Sequence, residues 1–105
     1  MANIHRGEID AVIGGETRTL CLTLGALAEL EARLQASDLN GLGARFESGR
    51  VSARDLVAIL GAGLRGGGNA ISDDELARMR IDGGLKGAAE ICANLLRATF
   101  GGEAA

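Results

Sequence analysis

An α+β fold is what this chain predicts, with an N-terminal β-hairpin followed by a small bundle of four to five α-helices. Three observations carry that expectation. Gly14 and Gly15 separate two segments of alternating polarity, three hydroxyl residues stand where helix caps belong, and apolar residues recur at helical spacing after each of them.

The hairpin takes residues 6–13 and 16–23. A Gly-Gly pair supplies the two positive-φ positions of a tight turn, and that turn sets Ile9 opposite Leu20 and Ala11 opposite Arg18. Glu8 and Asp10 then point to the other side. A lone hairpin is marginal in water, so its apolar face has to pack on helices.

Helices are expected over about 24–35, 40–48, 53–65, 73–80 and 85–100. Thr23, Ser52 and Ser72 are the caps of the first, third and fourth. Each is flanked by an apolar pair able to staple the first turn: Leu22 with Leu27, Val51 with Leu56, Ile71 with Leu76. Asp55 and Glu75, three residues after the two serines, complete capping boxes. Leu24, Leu27, Leu30 and Leu34 make the stripe of the first helix, continued by Leu39, Leu42 and Phe46. Val57, Leu60 and Leu64 serve the third helix. Leu85, Ala88, Cys92, Leu95 and Thr99 form a face of the last, with Ile91 beside it.

One domain over residues 1–100 accounts for the length, with 101–105 as a disordered tail. The core has to be aliphatic: the chain is 47% hydrophobic but only 2% aromatic, and Phe46 and Phe100 are its two rings. A net charge of −3 and scattered basic residues argue against nucleic acid as a partner. Acids stand early in the chain where a signal peptide would be apolar, and the longest apolar run, 56–64, is far short of the roughly 20 residues that span a bilayer. The protein therefore reads as cytoplasmic, with no membrane partner. Cys21 and Cys92 lack metal-ligand spacing and read as free thiols.

No catalytic constellation emerges. Gly61, Gly63 and Gly66 match the G-x-G-x-x-G spacing of dinucleotide-binding loops, but that fingerprint must follow a strand and open a helix. Here a capped helical segment precedes it and three more helix-breaking positions follow. The glycines read instead as a helix end built for close packing and a left-handed cap. His5, the single histidine, has no implied partner that would make it a base. Asp73, Asp74 and Glu75 sit in a first helical turn, where they meet the positive end of the helix dipole. Glu29, Glu31 and Arg33 read as a solvated helix face, and no cofactor or metal is called for.

Three stretches carry a resemblance to a known family. Residues 15–34 (GETRTLCLTLGALAELEARL) run from a strand directly into a helix, residues 55–68 (DLVAILGAGLRGGG) form a glycine-rich helix end, and residues 3–8 (NIHRGE) open the chain. Together they resemble the small tail-assembly proteins of gene transfer agents and related tailed phages, a tail-chaperone-like group. The resemblance implies a non-enzymatic role in phage tail assembly inside the producing bacterium. Its first implication is a chaperone that binds the tape-measure protein before the tail tube polymerises. The alternative is a structural tail-tube or tail-junction subunit that stays in the particle, joined to other tail proteins or to itself. The partner-binding candidates are Leu39, Leu42, Phe46, Val57, Leu60 and Leu64, which suit either a partner's helix or the protein's own core.

Overall fold

The computed structural model describes residues 3, 6–34 and 52–100. The expected helix at 40–48, with Leu39, Leu42 and Phe46, lies outside the described residues, as do Val51, His5 and the tail at 101–105. Strands β1 (Glu8–Ile13) and β2 (Glu16–Cys21) form an antiparallel hairpin. Four helices follow among the described residues: α1 (Leu24–Leu34), α2 (Ala53–Gly66), α3 (Asp73–Ala77) and α4 (Gly84–Phe100). The architecture is the α+β arrangement expected.

Gly14 and Gly15 make the turn, with φ of +67° and +83°. The register pairs Ile9 with Leu20 and Ala11 with Arg18, because a two-residue loop leaves no other alignment. The strands stop two residues short of the expected ends at 6 and 23. Leu22 and Thr23 leave the ladder to start α1, where the Ala26 amide donates to Thr23 Oγ1 over 3.1 Å. Both serine capping boxes form: the Asp55 amide donates to Ser52 Oγ and the Glu75 amide to Ser72 Oγ, each over 3.1 Å. Each carboxylate in turn accepts from its serine's amide.

Helix α3 ends at Ala77 rather than Arg80. The chain turns there so that Ile81 can bridge Ile13, with the Gly14 amide donating to the Arg80 carbonyl over 2.9 Å. This short extended contact beside β1 has no sequence signature.

The core lies between the hairpin and α2. Ile13, Leu20, Leu30, Ile59, Leu60, Leu64, Leu95 and Cys92 are fully enclosed. Two expected stripe positions are not part of it: Leu24 and Leu85, at the first turns of α1 and α4, are 86% and 66% exposed. Ala26 and Leu96 are buried, shifting each stripe towards the side that faces α2 and the sheet.

The end of α2 covers the outer edge of β2. A Cβ on Gly66 would stand 2.1 Å from the Cys21 carbonyl oxygen, and one on Gly67 would stand 2.0 Å from that of Thr19. Only glycine lets the two backbones approach so closely. The helix closes in a Schellman motif: Asn69 N–H reaches the Leu64 carbonyl at 2.8 Å, Gly68 N–H reaches that of Arg65 at 3.1 Å, and Gly68 has a φ of +98°. Asn69 Nδ2 then donates to the Thr19 carbonyl over 2.8 Å, satisfying the strand edge as it finishes the helix.

Candidate partner-binding surface

Helix α2 runs through the middle of the molecule, and its N-terminal half forms one wall of an open groove. Leu56, Leu60 and Leu76 make the floor, while half-buried Val57, Met79 and Ile81 line the sides. Leu85 stands at the lip on the first turn of α4. The groove holds about 230 Å³, and its described lining is wholly apolar apart from backbone.

The sequence candidates divide three ways. Val57 and Leu60 line the groove, Val57 on its side and Leu60, 2% exposed, at its base. Leu64 is fully enclosed in the core and reaches no surface. Leu39, Leu42 and Phe46 lie outside the described residues. The groove also includes Met79, Ile81 and Leu85, which periodicity gave no reason to group with Val57. They converge because the turn after α3 folds back to meet β1.

The opposite end of α2 carries charge. Arg65 donates from Nη1 to the Ile71 carbonyl and to Asp73 Oδ1, each over 3.0 Å, and pairs through Nη2 with Glu29. Arg33 pairs with Asp73 and lies 3.9 Å from Glu29. Burial alone would lower the Arg65 pKa, but the hydrogen bonds and charges of Asp73 and Glu29 outweigh it, so the pKa stands above its ordinary value. Glu29 and Arg33 are thus not a purely solvated face, and Asp73 does more than answer a helix dipole. The four side chains fasten α1, α2 and α3 together.

Groups that elsewhere perform chemistry are structural here. Gly61 and Gly63 lie inside α2 and Gly66 ends it, so no loop opens towards a phosphate. Cys92 is enclosed, its Sγ 3.9 Å from the Leu56 carbonyl, and burial pushes its thiol up to about 12. Among the described residues, no group of three or more His, Cys, Asp or Glu side chains is placed to hold a metal ion, and no helix is long and apolar enough to cross a membrane.

The model of one protein family, described as phage tail tube protein, GTA-gp10, matches residues 6–102. The chain belongs to that family. The GTA-gp10 match takes in the hairpin, all four described helices and the groove, so these are family architecture and not an appendage to it. The protein is accordingly a phage tail protein of the gene-transfer-agent type. No curated protein and no solved structure matches the chain.

Proposed function

We propose that this protein is a non-enzymatic structural subunit of a phage-like tail, in the tube or at a tail junction, retained in the finished particle. The observation that carries this reading is the match of nearly the whole chain to a family described as tail tube protein. An apolar groove on a small, well-capped domain supports a role in protein contact. Strand pairing with a neighbour is the less favoured means of assembly. The outer edge of β2 is covered by Gly66, Gly67 and Asn69, and Ile81 bridges β1 at its turn end.

That covered edge is also the reason to keep a second reading, a chaperone that holds the tape-measure protein until the tube forms. Closing a tube by strand addition needs exposed edges, and this hairpin offers little. Quantitative mass spectrometry of purified particles beside the producing-cell lysate separates the two. A ring-like copy number in particles is the expected result. Abundance in the lysate with absence from particles would overturn the structural reading and leave the chaperone, to be tested by tape-measure pull-down.

A further inference from the structure

Residues 70–82 leave the body of the fold and return to it. Asn69, pinned to the Thr19 and Leu64 carbonyls, marks the departure, and exposed Ala70 follows it. Gly83 and Gly84 mark the return at φ of +85° and +61°, and a Cβ on Gly84 would meet nothing within 4 Å. Between these points only Ile71 and Leu76 are buried. Among the described elements, α3 approaches α2 alone. The groove of about 230 Å³ lies beside it, so Leu76, Met79 and Ile81 border open space where core side chains have close-packed neighbours. Two ties hold the segment among the described residues. At one end Asp73 takes Arg65 and Arg33, and Arg65 also bonds the Ile71 carbonyl. At the other end the Gly14 amide donates to the Arg80 carbonyl over 2.9 Å, and Ile81 bridges Ile13. The first tie is ionic and part-exposed, so salt weakens it.

We propose that residues 70–82 are a strap that opens as one unit beside the groove, turning at Ala70 and at Gly83-Gly84 and releasing both ties together. The strap's own bonds are local. Its Leu76, Arg78 and Met79 amides reach the carbonyls of Ser72, Glu75 and Leu76, three or four residues back. It therefore keeps its shape as it swings, while the core behind it stays closed. Opening uncovers Leu56 and Leu60, which are 3% and 2% exposed when the strap is shut. A groove that admits one or two side chains then becomes a broad apolar face of α2. The shut strap hides that face from chance contacts, and the face is presented only in the open population. Strap opening depends on neither the structural nor the chaperone reading of the protein.

Amide hydrogen exchange of the whole protein, followed residue by residue by NMR, tests this. The Leu76, Met79 and Gly14 amides should share one protection level, at least about a hundredfold below that of Ile59 and Leu60 in α2. Gly14 is the telling site, because it belongs to the hairpin yet its amide is held by the strap. Asp73→Ala cuts the tie at the other end and should speed exchange at Leu76, Met79 and Gly14 by a common factor of about three or more. Raising sodium chloride on the parent protein should produce the same common acceleration without any substitution. Gly14 indifferent to salt and to Asp73→Ala while Leu76 accelerates would make the ties independent and overturn the proposal. So would strap amides as protected as Ile59 and Leu60, since the strap would then open only when the whole molecule unfolds.

Discussion

Among the described residues Arg65 joins three parts of the fold, bonding α1 through Glu29, α3 through Asp73 and the connecting chain through the Ile71 carbonyl. Because the group is part-exposed, its ion pairs are screened, and the bond to the buried-side carbonyl is the less replaceable part. Arg65→Met should cost about 1 kcal/mol of unfolding free energy, with roughly half of that lost at high salt. Urea unfolding at low and high sodium chloride measures both. Cys92 makes a different prediction. Its folded pKa is raised from 9.0 to about 12, so the unfolded chain ionises first and stability is present below pH 9. Between pH 9 and 12 that stability should drain away by about 1.4 kcal/mol per pH unit, and the slope should vanish in Cys92→Ala. A thiol reagent at neutral pH should leave Cys92 untouched until the protein unfolds.

Among the elements, the end of α2 is the most sensitive to substitution. Gly66→Ala or Gly67→Ala would drive a methyl group into a strand carbonyl, backbone against backbone, and should cost about 1–3 kcal/mol. Gly15→Ala meets no atom within 4 Å and should cost only its positive φ, about 1 kcal/mol. Thermal unfolding of the three variants ranks them. The same contrast explains what the sequence could reveal. The Gly14-Gly15 turn, the register of Ile9 with Leu20 and the three caps were legible because each is decided by residues a few positions apart. The position of Leu24 was misjudged because a helical stripe fixes a face but not how far the core extends along it. Arg65 with Glu29, and Gly67 with Thr19, join residues 36 and 48 apart in the chain, and no local pattern marks such pairs. Of the six candidate contact residues, Val57 and Leu60 line a groove whose other half, Met79 to Leu85, comes from a turn that periodicity does not describe.

At the scale of the whole molecule, one aliphatic core serves the hairpin and all four described helices, and α2 is in contact with each neighbour except β1. Leaving the interior intact while altering the surface should then separate folding from assembly. Leu85→Glu is expected to unfold within about 0.5 kcal/mol of the parent, as exposed substitutions do, while lowering the yield of complete particles in a producing strain. Loss of stability together with yield would instead mark Leu85 as structural. There remains what the close fit of α2 over β2 means for a chain made in quantity beside others of its kind. Should the last turn of that helix fray, the carbonyls of Thr19 and Cys21 become a template for foreign strands, and the hairpin becomes a seed for fibrils. Gly67→Val, tested by thioflavin fluorescence below its melting temperature, should aggregate sooner than a Leu60→Ala variant of equal or lower stability. Two small residues and one amide at a helix end would then decide whether this protein stays in solution or polymerises in the wrong way.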